Sequence, residues 1–321
     1  MSFKNAILAL LIFLLPISTA TARTLASITL TDGLHLQYYV SAPAGTADTN
    51  ILIAIHGYTR DATRTYDAAS NAASTAGVAA NTLIVAPIFQ VPGDEAGKCS
   101  FHGVPGPAAG DALWHCDGWS DGLLAINGAV SSFQAMDQLI STLLQRYKSV
   151  RTITIAGFSA GGQYVQRYAG FAQLSASGMT IHYVVADPST FVYFDAARPE
   201  PNTQTCSGFN NWKYGTDRLP AYFNRSAAAA RQAYAAANIQ YLEGALDSSA
   251  GPGTAYKLLA RNCRAELQGP FRLQRGEFYA AYDKASLSHG AHPITIVPGC
   301  GHSVTCVFPS EAARTALFGR Y

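Results

Sequence analysis

The sequence predicts an α/β fold in which helices cover both faces of a mostly parallel central sheet. Apolar runs of strand length alternate with segments of helical character along the chain, the pattern expected of successive βαβ units. No linker-like composition divides the 321 residues, which predicts a single domain after the leader. The strand-like runs are residues 27–30, 34–40, 51–55, 83–86, 153–156, 181–186, 239–242 and 294–297.

The first two runs differ from the later ones. They are joined by Asp32-Gly33, a turn dipeptide typical of hairpins, so the sheet should begin with an antiparallel pair. The six later runs are predominantly apolar, as strands of buried parallel sheets are. Helical segments at residues 131–147, 163–174 and 226–237 lie between them, which favours parallel pairing with helical crossovers.

The composition limits the classes of function. Charged residues make up 13% of the chain and hydrophobic residues 49%, whereas about 25% charged is usual. This describes a compact globular protein with a large core. The net charge is +2 and no basic cluster stands out, so neither nucleic acid nor an anionic membrane is an expected partner.

The N-terminus resembles a secretory leader. Lys4 precedes an apolar run at residues 6–17, and Ala20-Thr21-Ala22 supplies small residues for cleavage. The run is shorter than the roughly 20 residues that span a bilayer. We therefore expect a signal peptide at residues 1–22, a catalytic domain at 23–321, and a secreted or periplasmic protein without a membrane span.

Six cysteines suit an oxidising compartment, where an even number can pair completely. Six cysteines allow 15 connectivities, and proximity in sequence favours Cys99–Cys116, Cys206–Cys263 and Cys300–Cys306. The last pair would bracket His302 in a short loop. No C-x-x-C pair occurs, so no metal site is predicted.

The segment Gly157-Phe158-Ser159-Ala160-Gly161 joins the apolar run that ends at residue 156 to the helical segment 163–174. A serine at such a strand-to-helix turn adopts a strained backbone that lifts its hydroxyl above the sheet. The N–H of Ala160 is then free to bind an oxyanion. The pattern predicts that Ser159 is a nucleophile.

A serine nucleophile needs a base, because its hydroxyl is barely ionised at neutral pH. His302 follows the last strand-like run, at the position where this architecture places the base. Four other histidines are better explained structurally. His35 falls in an early strand, His182 opens a buried strand, and His289 and His292 fall in a polar connection.

The third member should be a carboxylate that orients the imidazole. Asp247 follows the strand 239–242, at the carboxyl end where active sites of parallel sheets gather. Asp187, after the strand 181–186, is the rival. Asp247 is favoured because it leaves one strand between acid and base, whereas Asp195 and Asp217 suit the surface or an insert.

A second oxyanion donor is expected after the strand 51–55, which ends in His56-Gly57-Tyr58-Thr59. The glycine lets the chain turn so that the N–H of Tyr58, or of Thr59, points at the acyl oxygen. His56 is interpreted as a structural residue of this turn.

Two stretches, residues 90–128 and 188–220, are longer than ordinary loops and rich in aromatic residues. Loops longer than about 15 residues in a compact domain are usually functional. We expect both to wall the pocket over Ser159, which favours an apolar or aromatic substrate. The alternative is that their aromatic rings only pack these loops onto the body.

The order Ser159, Asp247, His302, preceded by His56-Gly57, resembles that of the α/β-hydrolase superfamily. Residues 157–168 and 211–215 also resemble a group of secreted bacterial and fungal hydrolases of unassigned substrate. The resemblance implies acyl transfer through a serine ester, most often on carboxylic esters, with no metal and no organic cofactor. The substrate would be a small-molecule or polymeric ester.

Two other functions fit the same residues. The bond could be an amide, as in a peptidase or amidase, or the substrate an insoluble polyester. A secreted binding protein that kept the fold is the non-enzymatic alternative, since fold alone does not establish function.

Overall fold

The computed structural model describes residues 23–41, 48–100, 103–174, 178–201 and 203–319. The predicted signal peptide, residues 1–22, lies outside the described residues. One sheet of eight strands, in the order β1-β2-β4-β3-β5-β6-β7-β8, crosses the described part of the chain. The strands are β1 (Arg23–Thr29), β2 (His35–Ser41), β3 (Asn50–Ile55), β4 (Thr82–Ile88), β5 (Thr152–Phe158), β6 (Thr180–Ala186), β7 (Asn238–Gly244) and β8 (Ile294–Val297).

The pairing confirms the predicted fold class. Strand β2 pairs antiparallel with both β1 and β4, whereas every pair from β4 through β3 and on to β8 is parallel. Each strand-like run of the sequence lies in or overlaps one of these strands. Because the last six strands are parallel, their carboxyl ends share one edge of the sheet, and the site residues follow those ends.

Helices connect the strands, and α3, α4 and α5 match the three helical segments expected from the sequence. The helices of the described residues are α1 (Ala62–Thr75), α2 (Gly93–Cys99), α3 (Ser132–Arg146), α4 (Ala160–Phe171), α5 (Ala227–Ala236), α6 (Cys263–Glu266), α7 (Arg272–Ser286), α8 (Val304–Val307) and α9 (Arg314–Phe318). No helix in these ranges has the length and apolar character needed to cross a membrane.

The core forms two layers, one on each face of the sheet. Alternate residues of β3 show this division: Ile53 and Ile55 belong to one buried cluster, Leu52 and Ala54 to the other. Because side chains alternate along a strand, both faces must be covered to bury such a run. Helices α3, α4, α5 and α7 supply buried residues to the first cluster, and α1 and α9 to the second.

The three disulfides are those that sequence proximity favoured, and none of the six cysteines is free. Cys99–Cys116 closes a loop within the first long insert. Cys206–Cys263 ties the second insert to α6, and Cys300–Cys306 spans the turn that carries His302.

The long inserts use most of their aromatic residues for packing. Trp114 and Trp119 of the first insert are fully buried, and the Trp119 ring stacks on Phe89 at 5.1 Å. Phe191 of the second insert stacks on Tyr279 of α7 at 4.3 Å. These rings anchor the inserts on the body, as the alternative interpretation of the sequence held.

Candidate active site

Ser159 occupies a strained turn between β5 and α4. Its backbone has φ 61° and ψ −118°, a left-handed region that a residue with a side chain rarely adopts. The N–H of Ser159 donates to the carbonyl of Ala186 at 2.9 Å, which fixes the turn against β6. Strain of this kind gathers at functional sites, where it presents one side chain in a set direction.

The glycines beside Ser159 are required by close backbone contacts. A Cβ atom on Gly157 would lie 2.0 Å from the carbonyl oxygen of Gly161. A Cβ atom on Gly161 would lie 2.3 Å from the carbonyl oxygen of Ile55. No other residue fits either position without moving the chain, which explains both glycines of the motif.

His302 lies on the loop after β8 and contacts Ser159 directly. Its Nε2 atom is 2.9 Å from the Ser159 hydroxyl, and its Nδ1 atom is 2.7 Å from Oδ2 of Asp247. The side chains of His302 and Asp247 are 6% and 2% exposed. The structure therefore brings together the three residues that sequence order had selected.

Burial sets the protonation state of His302. Desolvation, followed by the nearby Arg272 guanidinium, lowers the pKa of the imidazole to about 4, although the hydrogen bond and charge of Asp247 act in the opposite direction. The imidazole is neutral at neutral pH, with its proton on the Nδ1 atom that faces Asp247. The Nε2 atom is thus able to accept a proton from Ser159.

Asp247 has a second partner that the sequence did not reveal. Nη1 of Arg272, the first residue of α7, lies 3.4 Å from Oδ1 of Asp247 and donates to the Thr254 carbonyl at 2.7 Å. Both side chains of this ion pair are almost fully buried. The guanidinium stabilises the Asp247 carboxylate, because an unpaired buried charge would be costly.

Asp187, the rival acid, is directed elsewhere. It follows β6 with φ 44°, and its Oδ1 accepts a hydrogen bond from the N–H of Gly244 at 2.8 Å. Burial, followed by the charge of Asp247, raises the pKa of Asp187 above its ordinary range. It is Asp247, and not Asp187, that accepts the hydrogen bond from Nδ1 of His302.

The expected oxyanion donors lie on both sides of Ser159. The N–H of Ala160 begins α4, where a helix offers no internal partner. A Cβ atom on Gly57 would lie 3.5 Å from Cβ of Ser159, which places the turn after β3 against the serine. Across the described ranges, the N–H of Tyr58 has no hydrogen-bond partner.

Two residues hold this turn. The N–H of Gly57 donates to Oδ1 of Asp61 at 3.1 Å, a contact that the sequence did not predict. His56 donates from Nδ1 to the Gly57 carbonyl at 2.8 Å, and its Nε2 accepts from the N–H of Phe89 at 3.2 Å. Desolvation lowers the pKa of His56 to about 3, so the ring is neutral. Its backbone bonds match the structural role expected of it.

Both long inserts line a cavity of about 560 Å³ beside Ser159. Tyr58, Trp212 and Tyr214 give it aromatic surface, but polar side chains contribute as well, so the wall is more mixed than the predicted apolar or aromatic pocket. The polar lining residues are Asp117, Ser120, Asp121, Gln163, Ser189, Thr190, Lys213, Asn262 and Arg264.

A second, smaller cavity of about 250 Å³ is lined by both Ser159 and His302. Leu258, which is 49% exposed, lines both cavities. Ser159 thus contributes to the walls of two recesses of different size. Two recesses at one serine suit a substrate with one group on each side of the bond that is cleaved.

The two acidic residues in the wall of the larger cavity both contact basic side chains. Asp121 accepts from Arg167 at 2.9 Å and from Lys213 at 2.7 Å. Lys213 also lies 3.5 Å from Asp117. These ion pairs fix the polar wall in place.

Oxygen and nitrogen atoms of Asp187, Asp247 and His302 lie within 4.8 Å of one another, a grouping that could hold a metal ion. Both ring nitrogens of His302 already face Asp247 and Ser159, and Arg272 occupies the other oxygen of Asp247. A cation at this position would have to displace those contacts. The donor set therefore suits a hydrogen-bonded triad better than a metal site.

No protein-family model matches the chain, and neither does any curated protein. Among solved structures, the poly(3-hydroxybutyrate) depolymerase LpqC from Bordetella parapertussis is similar with a TM-score of 0.63 and 19% identity, over 94% of this chain and 91% of that one. Poly(aspartic acid) hydrolase-1 from Sphingomonas sp. KT-1 has a TM-score of 0.59 and 19% identity, over 92% and 98%. At such identity the likeness establishes the fold.

Proposed function

We propose that this chain, which has the fold of the α/β-hydrolase superfamily, is a serine hydrolase that cleaves carboxylic esters. The observation that carries the proposal is the unbroken hydrogen-bond path from Ser159 through His302 to Asp247, at 2.9 Å and 2.7 Å. Fold alone would not suffice, because the same fold serves many functions.

In the proposed reaction, Oγ of Ser159 attacks the ester carbonyl while Nε2 of His302 takes its proton. Asp247 holds the imidazole in the required tautomer and stabilises the imidazolium that forms. The N–H groups of Ala160 and Tyr58 bind the oxyanion. His302 then gives the proton to the leaving alcohol, and water hydrolyses the acyl-serine by the same steps in reverse.

A polymeric ester is the second candidate substrate. It is supported by the likeness to a protein described as a poly(3-hydroxybutyrate) depolymerase, and by two cavities lined by Ser159 that offer room for more than one unit of a polymer chain. A peptidase or amidase would use the same residues, differing in the protonation of its leaving group.

We also propose that residues 23–321 form a single catalytic domain exported to the periplasm or the outside of the cell. Three disulfides in a chain of this size support an oxidising compartment. The leader-like residues 1–22 agree with it.

Hydrolysis of p-nitrophenyl acyl esters of increasing chain length tests the reaction, with Ser159→Ala as the control. We expect turnover that the alanine variant loses, and a preference for short or polar acyl groups over long fatty chains because polar side chains line the larger cavity. Turnover that survives in Ser159→Ala would contradict the proposal.

A serine-directed fluorophosphonate separates the alternatives. A folded protein that it does not label at Ser159 would favour the binding protein. Labelling without ester turnover would favour an amide or an insoluble polymer, to be tested on a peptide series and on polyester films.

A further inference from the structure

Two carboxyl groups that the proposed reaction does not use lie buried behind the triad. Glu243 is near the end of β7, and Asp187 follows the neighbouring strand β6. Both residues have no exposed surface. The side chains lie within hydrogen-bonding reach of each other.

Three of their four carboxyl oxygens lack a donor. Oε1 and Oε2 of Glu243 and Oδ2 of Asp187 have no hydrogen-bond partner in the described part of the chain. Only Oδ1 of Asp187 is satisfied, by the N–H of Gly244. Two ionised carboxylates in contact are both acceptors, so they cannot bond to each other without a proton.

The charges around the pair do not compensate it. Asp187, Glu243 and Asp247 are three acids, and in the described part of the chain the cation that acts on them is the guanidinium of Arg272, which pairs with Asp247. Arg275, one turn further along α7, donates to backbone carbonyls instead. Among the described residues, the other two acids then have no cation, and such a pair takes up a proton rather than carry two charges.

Helix α7 packs directly on the Glu243 carboxyl. A Cβ atom at Gly276 would lie 2.2 Å from Oε1 of Glu243. Burial and the nearby acids raise the pKa of both Glu243 and Asp187. Contact with the α7 backbone and the excess of nearby acids both favour a protonated, neutral Glu243 carboxyl.

We propose that Glu243 and Asp187 share a proton at neutral pH and act as a positioning pair for the triad acid. The O–H of Glu243 donates to Oδ2 of Asp187. The proton is assigned to Glu243 because, in the described part of the chain, no other group donates a hydrogen bond to its carboxyl oxygens. Asp187 holds the N–H of Gly244, and the Gly244 carbonyl in turn accepts from the N–H of Asp247 at 3.0 Å. The pair thus braces the turn that aims Asp247 at His302.

This inference rests on the proposed function, and it has a consequence at alkaline pH. Loss of the proton would place a second negative charge beside Asp247 and break the contact between the two carboxyls. We expect kcat/KM to decline as the pH rises past the titration of the pair, by up to about tenfold per pH unit.

The variant Glu243→Gln tests the proposal, because its amide N–H₂ donates to Asp187 and cannot titrate. We expect kcat/KM near the wild-type value at neutral pH, with the alkaline decline removed. Asp187→Asn, whose amide donates to Glu243, should behave in the same way and serves if the first variant does not fold. Glu277→Gln, on the exposed side of α7, is the matched control and should keep the wild-type profile.

Infrared spectroscopy at neutral pH gives a readout independent of turnover. The wild-type spectrum minus that of Glu243→Gln should contain the carbonyl band of a protonated carboxylic acid. Absence of that band would overturn the shared proton. An alkaline decline that persists in both amide variants would overturn the positioning role. If no ester is cleaved, the proposed function fails, and the infrared difference still decides the state of the pair.

Discussion

Two histidine–aspartate pairs in this molecule have the same short contact and different capacities. In one, Nδ1 of His302 lies 2.7 Å from Asp247. In the other, Nδ1 of His292 lies 2.7 Å from Asp283. The pairs differ in what faces the second nitrogen, which is a serine hydroxyl for His302 and the carbonyl oxygen of Ala237 for His292.

That difference decides which ring can act as a base. A carbonyl only accepts, so Nε2 of His292 must carry the proton that is donated to Ala237. His292 is fixed within a buried polar network that includes Tyr241 and Tyr234. A hydroxyl can donate, so Nε2 of His302 is left without a proton. A histidine beside a carboxylate is thus not sufficient for base catalysis.

Disruption of the His302–Asp247 pair should lower turnover severely. Asp247→Asn should lower kcat by about 10⁴-fold, because the amide favours the wrong imidazole tautomer. Steady-state hydrolysis of a p-nitrophenyl ester measures it. Asp187→Asn is the control and should keep most of the activity at neutral pH. The reverse result, with activity lost only in the Asp187 variant, would make Asp187 the acid.

Breaking the other pair should affect stability instead. His292→Gln removes the ring that contacts the buried Asp283 carboxyl, which should cost about 1–3 kcal/mol of unfolding free energy. Urea unfolding measures the loss, and kcat per folded molecule should stay close to wild type. A loss of kcat at unchanged stability would show that His292 belongs to the reaction.

The site residues that depend on a local sequence pattern could be predicted from the sequence. Ser159 was predictable because its glycines and flanking elements are contiguous, and His302 because it follows a strand. His292 was placed in a polar connection by its neighbours, yet its side chain is fully buried. Its burial depends on Asp283 of α7 and on the carbonyl of Ala237, which directly follows α5.

Arg272 and Glu243 were missed for the same physical reason. Arg272 contacts a carboxylate that precedes it by 25 residues, and no motif marks the start of α7. Glu243 occupies a strand end, where an acid usually reaches solvent. Charged residues are almost never fully buried without a partner, so sequence reasoning assigns them to the surface. Their burial arises only when β6, β7 and α7 meet.

The lowered pKa of His302 has consequences for the pH dependence of both activity and stability. Since the pKa of His302 is lowered to about 4, kcat/KM should hold from neutral pH down to that region and fall below it. Between the unfolded-state pKa of about 6.5 and the lowered value, the ring is neutral in the folded protein and protonated in the unfolded chain. The unfolded state binds more protons in that window, so stability should fall as the pH drops through it.

Measurements of kcat/KM and of the free energy of unfolding over the same pH range check both expectations. His302→Gln, measured for unfolding only, should lose part of the acid-dependent destabilisation. The part due to His56, whose pKa is lowered to about 3 by burial, should remain. An acid limb of kcat/KM near the ordinary histidine pKa would show that the ring is more solvated than its burial implies.

The two histidines differ in what holds them in position. His292 is held by hydrogen bonds at both nitrogens within the core, whereas His302 lies on a loop closed by Cys300–Cys306, with a sequence separation of 6. Closing so short a loop restrains the unfolded chain by about 2 kcal/mol. The double variant Cys300→Ser with Cys306→Ser should lose about that much stability and inactivate faster on heating.

The position of the bridge gives a second, more specific expectation. If it steadies the base, kcat should fall in the double variant at temperatures where the protein stays folded. The variant Cys206→Ser with Cys263→Ser, which opens a bridge away from His302, should lose stability with a smaller loss of kcat. Equal kcat losses in the two double variants would mean that the bridges act on the fold as a whole. His302 would then owe its orientation to Asp247 and to the carbonyl of Gly253, which accepts its N–H at 2.8 Å.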